Sequence, residues 1–371
     1  MEAYDHKIHD LALSFTPGVG VVTLRNLVNH FGSSQAVLDA SEEDLRLVGG
    51  IGNKLSADIN SSRSASYERA EKEIAFTKRH NIEILTHSDA AYPRRLKECY
   101  DAPAILYYRG NADLNSQRVV SIVGSRKATY YGRNICDELV EALTAYNVIV
   151  VSGLAYGIDS FAHEASVKHN IPTVGVLGHG LDQVYPAANR RLAMGMLENG
   201  GLLSEFPVNT RPERQNFPQR NRIIAGMADV VIVVEAAIQG GALITAEIAN
   251  HYNRDVCAFP GNVNQEYSAG CNFLIKSHRA HLISRAKDLE YIMNWEEAEV
   301  KTQPVQIQME LSLSTSEKKI YELVKLHQPL SIDEISTRLN LVQSKLAITL
   351  LELEMKGLLV ALPGKVFRTL A

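Results

Sequence analysis

Cysteine is scarce in this chain, with Cys99, Cys136, Cys257 and Cys271 the only four in 371 residues. None belongs to a C-x-x-C pair or sits beside a histidine cluster, which argues against a disulfide framework and against a zinc site. Free thiols in a reducing cytoplasm are the expectation. No apolar run reaches the roughly 18 residues of a spanning helix. The opening MEAYDHKIHD is polar and acidic, unlike a signal peptide, so a cytoplasmic protein with no membrane partner is predicted. An excess of positive charge is also missing: the formal net charge is −4, so any polyanion site has to be a local patch. Two glycine signatures are absent as well. There is no G-x-x-x-x-G-K-[ST] loop, and the first strand is not followed by G-x-G-x-x-G. An ATPase and a dinucleotide-dependent enzyme are disfavoured, and no cofactor is expected.

What is present divides into stretches of different pattern. Residues 1–78 combine short helices with glycine hairpins, and residues 79–295 alternate strands with helices. Residues 296–313 are polar and aperiodic and contain Pro304, as a linker would. Residues 314–371 form a small further unit. In the second stretch, buried-type runs recur at Val119 to Val123, Val148 to Val151, Thr173 to Leu177, Leu202 to Ser204, Val230 to Val234 and Val256 to Phe259. Val/Ile runs joined by helices predict an α/β fold with a doubly wound parallel sheet covered on both faces.

Ligands bind such sheets at the carboxyl ends of the strands. Those ends are rich in glycine here: Gly124-Ser125-Arg126, Ser152-Gly153, Gly178-His179-Gly180, Gly240-Gly241 and Gly261-Asn262. Glycine admits close backbone approach, and helix N-termini add partial positive charge, which suits phosphate. The plainer reading is that glycines simply make tight strand-to-helix turns. Between Ala187 and Arg222 there are six arginines, no lysine and three glutamates, a local excess of positive charge on an acidic chain. Arginine favours bidentate phosphate contact and base stacking. Phe217 lies among Arg214, Arg220 and Arg222, which matches the single-strand recipe of a charged groove with an aromatic platform.

The chain resembles the DNA-processing protein A (Smf) family. The resemblance rests on SIVGSR (121–126), VSGLAYGIDSFAH (151–163), VGVLGHGLDQVYP (174–186), GLLSEFP (201–207), FPQRNRIIAG (217–226), VVEAAIQGGALITA (233–246), FPGN (259–262) and GCNFLI (270–275). It implies an extended Rossmann-like core that binds single-stranded DNA without catalysis, forms a homodimer and loads the RecA recombinase. Single-strand binding protein is a further partner to consider. Carried over by position, Gly124, Ser125, Arg126 and Gly153 would form the phosphate pocket, with Phe217, Arg220, Asn221 and Arg222 lining the groove. Gly240, Gly241, Leu243 and Thr245 would make its floor, opposite Gly261 and Asn262. Asn272, Phe273, Leu274 and Ile275 would lie near the dimer face. The chain departs from the common pattern at Tyr156, Ala187 and Gly240-Gly241-Ala242, each of which removes a charge or hydroxyl.

The flanks fit the same resemblance more loosely. Hairpins at Pro17-Gly18-Val19-Gly20 and Gly49-Gly50-Ile51-Gly52 predict a paired helix–hairpin–helix or sterile-alpha-motif-like N-terminal domain. At the other end, helices at 315–326, 332–339 and 342–356 with a hairpin at 358–369 predict a winged helix. Lys365 and Arg368 are its best phosphate candidates. Duplex binding and protein contact remain open for both flanks. The rival reading is a nucleoside-monophosphate phosphoribohydrolase with P-G-G-x-G-T-x-x-E. Gly240, Gly241 and Glu247 fit that spacing, but Gln239, Leu243 and Ile244 do not. A scaffold that binds RecA and no DNA is a third class. Asp159 and His163 share a helix face and could form a catalytic dyad, though a cap and a packed histidine are commoner. Glu205 and Glu235, at strand ends, could orient arginines.

Overall fold

The computed structural model describes residues 2–296, 314–327, 329–356, 358–362 and 364–369. They fall into two compact units, 1–300 and 301–371. Apart from Glu296, the expected linker lies outside the described residues.

The first unit begins with five helices, α1 (Glu2–Phe15), α2 (Val21–Phe31), α3 (Ser34–Asp39), α4 (Glu42–Leu45) and α5 (Asn53–Arg79). Alternation then follows: β1 (Glu83–Thr86), α6 (Arg94–Lys97), β2 (Ile105–Gly110), β3 (Arg118–Val123), α7 (Tyr130–Leu143), β4 (Val148–Ser152), α8 (Ile158–Lys168) and β5 (Thr173–Leu177). Next come α9 (Arg190–Met196), β6 (Gly200–Ser204), α10 (Asn216–Met227), β7 (Val230–Val233), α11 (Gly241–His251), β8 (Asp255–Ala258), α12 (Glu266–Lys276), β9 (His281–Leu282) and α13 (Asp288–Met293). The strands form one sheet in the order β1-β2-β6-β5-β4-β3-β7-β8-β9. From β6 to β9 neighbours run parallel, whereas β2 pairs antiparallel with both β1 and β6.

Residue alternation shows why the central strands are apolar on both sides. In β3, Val119 and Val123 enter one core with α10 and α11, while Val120 and Ile122 enter another with α7 and α8. In β7, Val231 and Val233 divide from Val230 and Ile232 in the same way. Period-two alternation with both faces covered requires continuous β-branched runs. Polar side chains in these strands close their own bonds. Ser121 Oγ donates to Ile224 O at 2.8 Å, and Ser152 Oγ donates to Ile122 O at 2.6 Å.

The N-terminal helices share a core with the sheet. Leu11, Leu13, Leu27 and Ile59 pack in one cluster with Ile84, Ile105, Tyr107, Leu177 and Leu202. Lys7 Nζ donates to Ile84 O at 2.6 Å and pairs with Asp89 at 3.1 Å. The boundary expected after residue 78 therefore falls at the end of α5, inside one continuous hydrophobic body.

The second unit contains α14 (Thr315–His327), β10 (Leu330–Ser331), α15 (Ile332–Leu339), α16 (Gln343–Met355), β11 (Leu359–Leu362) and β12 (Val366–Thr369). Its sheet order is β10-β12-β11, all antiparallel, which is the winged-helix arrangement. Ser331 and Glu334 form a capping box on α15, each side chain satisfying the other's backbone N–H. In the expected wing turn, Gly364 has φ of 90°, while Pro363 lies outside the described residues.

His163 on α8 is fully buried. The Thr173 hydroxyl donates to Val150 O at 3.0 Å, so it accepts from His163 Nδ1 at 2.7 Å. Burial, the largest cause, pushes the His163 pKa down to about 3. An unfolded histidine titrates near 6.5. Below that pH the unfolded chain binds the extra proton, so stability is complete above about 6.5 and is lost on acidification. The loss approaches ~1.4 kcal/mol per pH unit. Urea unfolding between pH 6.5 and 5 should show a steeper loss for the natural chain than for His163→Gln. Equal slopes would count against this histidine.

Candidate nucleic-acid interface

The loops after β3, β4 and β7, with α10 and the start of α11, surround a cleft of about 840 Å³. The loop after β3 is held from both sides. Ser125 N donates to Glu235 O at 2.6 Å, and Ser125 O accepts from Ile158 N at 3.1 Å. Two glycines permit this crowding. A Cβ on Gly124 would stand 2.4 Å from Ile158, and one on Gly157, at φ of 76°, would stand 2.2 Å from Ser125 O. Glu235 does not orient an arginine. Its carboxylate accepts from Thr129 N and Thr129 Oγ1 at 2.8 and 2.7 Å, fixing the entry to α7.

Arg220 provides the deepest positive charge. The residue is 4% exposed, and its Nη1 lies 4.0 Å from Asp159 Oδ2. A Cβ at position 153 would stand 1.5 Å from that same nitrogen, so Gly153 is the seat of the guanidinium. Burial lowers the Arg220 pKa to about 10, which leaves it cationic at neutral pH, and burial also raises that of Asp159. Arg126, Lys127 and Arg214 are exposed and line the cleft with Arg220, against the acids Asp159 and Glu266. Four cations facing two acids create the local patch that net charge concealed. Arg126 lies 5.3 Å over the Phe217 ring, and Phe217 lies 6.0 Å from Tyr185, which is half exposed. A guanidinium and two rings thus form a row along the wall.

Of the residues expected from the sequence, Gly124, Ser125, Arg126, Phe217, Arg220, Asn221, Gly240, Gly241 and Thr245 line this cleft. Others take different places. Gly153 makes room for Arg220. Arg222 is buried, and its guanidinium is bound internally to Glu205 and to the carbonyl of Asp101. Residues two apart on a helix stand about 200° apart, so Arg220 and Arg222 could not share one groove. Leu243 packs against Gly270. Gly261 exchanges two hydrogen bonds with Asn272, at 3.2 and 2.9 Å, and Asn262 accepts from Asn264 N at 2.9 Å. On the expected dimer face, Leu274 belongs to the core and Asn272 is engaged with Gly261. Phe273 is the residue of that run left well exposed. Asp159 and His163 do not meet as a dyad. Lys127 and Tyr185 line the cleft outside the expected set, although Lys127 directly follows the SIVGSR motif and Tyr185 lies within the 174–186 motif.

The two kinds of arginine should separate on substitution. Arg222→Ala leaves the Glu205 carboxyl buried without its partner, a loss of about 3–5 kcal/mol. Burial already pushes that carboxyl up to about 7 even with Arg222 beside it. Arg126→Ala, at an exposed position, should change stability by less than about 0.5 kcal/mol. Chemical denaturation of both variants reads this difference, and equal losses would contradict the placement of Arg222.

Comparison with known proteins agrees with this architecture. Residues 83–294 match the model of the DNA recombination-mediator protein A family, and residues 308–365 match the DprA winged helix domain. Protein Smf of Synechocystis is 39% identical over 281 residues, covering 74% of this chain and 69% of that protein. DNA processing protein DprA of Streptococcus pneumoniae is 41% identical over 201 residues, covering 54% of this chain and 71% of the relative. The solved structure of the S. pneumoniae protein superposes with a TM-score of 0.65 at 30% identity, covering 79% of this chain and 99% of that one. A Helicobacter pylori DNA processing protein A, described for its single-stranded DNA binding mode, superposes with a TM-score of 0.53 at 26% identity, covering 58% and 97%. With a family match over more than half its length, this chain belongs to the DNA recombination-mediator protein A family.

Proposed function

We propose that the cleft at the strand ends binds single-stranded DNA, and that the protein protects the strand and loads RecA onto it without catalysing a reaction. The observation that carries this reading is the row Arg126–Phe217–Tyr185 beside buried Arg220. Phosphate needs cations at a backbone-width groove, and unpaired bases need flat faces on which to stack. The single-strand binding mode described for the H. pylori relative supports the same ligand. A homodimer, contact with single-strand binding protein and a cytoplasmic location belong to this proposal as the family resemblance implies them. No described helix is long and apolar enough to cross a membrane.

A non-catalytic role fits the chemistry of the cleft. Where a phosphoribohydrolase would need glycine and threonine, Leu243 packs against Gly270 and Ile244 faces the cleft. The Asp159 carboxylate lies near Arg220, and His163 is sealed in the core.

Titration of a fluorescent oligo-dT tests the reading. Phe217→Ala should weaken binding about tenfold, the loss of one stacked base. Arg126→Ala should weaken it and reduce the slope of log affinity against log salt by about 0.7, one phosphate contact on a single strand. Gly153→Ala, which unseats Arg220, should weaken binding as Arg220→Ala does. Unchanged affinity in Arg126→Ala and Phe217→Ala would move the site elsewhere. Incubation with AMP should release no adenine; turnover at enzymatic rates would overturn the non-catalytic reading.

A further inference from the structure

In the winged-helix unit, α16 buries Leu346, Leu350 and Leu353 in the local core. Its opposite side carries Ile348, Leu351 and Met355, exposed by 62%, 57% and 83%. Ser344 continues the same line one turn earlier. A helix at this position that reads duplex DNA presents basic and amide side chains to the groove. Here the outward line is apolar along nearly its whole length, a feature that marks a docking face. We infer that α16 docks, antiparallel, against α16 of a second copy of this chain.

The identity of the partner follows from spacing and charge. Ser344, Ile348, Leu351 and Met355 advance in steps of four, three and four residues, which read the same in reverse. Two copies running in opposite directions therefore set Ile348 against Leu351 of the second copy, and Ser344 against Met355 of the second copy. That self-complementarity is what a twofold interface demands. Lys345 and Glu352 lie two turns apart on one flank of the stripe. A twofold axis across the helix pair turns this flank toward itself. Reversal then brings Lys345 of each copy beside Glu352 of the other, giving two opposite-charge pairs. In a parallel pair the twofold axis runs along the helices and sets this flank against the opposite one, so neither Lys345–Glu352 pair forms. Lys356, the third charge of the flank, is already bound to Glu317 in its own unit and so opposes nothing. A helix pair of about three turns buries less than the ~1,200 Å² of a stable specific complex, so the contact is weak and needs high concentration. The inference does not depend on the DNA reading, and it is separate from any dimer formed by the core.

Oxidative cross-linking of full-length cysteine variants tests it. The four native thiols are buried, so an introduced one is the accessible group. Ser344→Cys, carrying a size tag, is mixed with untagged Met355→Cys at high protein concentration under copper–phenanthroline. Cross-links should form between the two variants and not within either alone, since like positions stand about 16 Å apart along an antiparallel pair. Lys345→Glu in both partners should lower the yield about fivefold, and adding Glu352→Lys should restore it. All these positions are exposed or flank the stripe, and unchanged melting temperatures confirm that folding is intact. Ser344→Cys linking to itself would establish parallel pairing and overturn the inference. So would the absence of any cross-link, failure of the charge swap to restore the yield, or loss of the cross-link when duplex oligonucleotide competes for the face.

Discussion

The cleft depends on a guanidinium kept out of water. Arg220 rests on Gly153, with Asp159 at 4.0 Å as its counter-ion. Burying an arginine needs a partner and a shaped cavity. Here α8 supplies the acid, the turn after β4 supplies the space and α10 supplies the charge. The β4–α8 junction is thereby tied to α10, far along the chain, and the loop after β3 is clamped between Glu235 O and Ile158 N beside them. Above this fixed charge at the base, Arg126, Lys127 and Arg214 form an exposed cationic rim.

The chain uses arginine in two opposed ways within three residues. Arg220 faces the ligand side of α10. Arg222, on the other side of that helix, joins Glu205 at the end of β6 to the segment before β2. Arg95 does similar internal work, pairing with Asp229 at 2.5 Å and donating to the carbonyls of Ser116 and Gln117. Arginine density in a sequence thus counts structural struts together with ligand contacts. The glycines divide likewise: Gly124, Gly153 and Gly157 serve packing, while Gly241 has open space around it.

Much of this was legible because it follows from periodicity. The six buried runs each contain or overlap a parallel strand, since burial on both faces leaves an unbroken apolar signal. The winged helix was legible from amphipathic spacing and its turn. The strands β1 and β2 were not. They are four and six residues long, antiparallel, and separated by a segment containing one short helix, so no strand–helix rhythm announces them. The shared core of α1–α5 with the sheet was also hidden, because apolar faces do not name their partners. Within the cleft, motif residues were found where backbone geometry demanded them. What the motif could not reveal was direction. Helical phase alone, about 100° per residue, would have separated Arg220 from Arg222.

The margins of the large sheet carry a consequence for assembly. At one side β9 ends the sheet with two residues, and at the other Lys7 occupies the Ile84 carbonyl of β1. Little naked backbone is left to recruit a foreign strand. Copies of this protein can therefore crowd together without zipping edge to edge, and any association they make has to be written in side chains, where it can be specific and reversible.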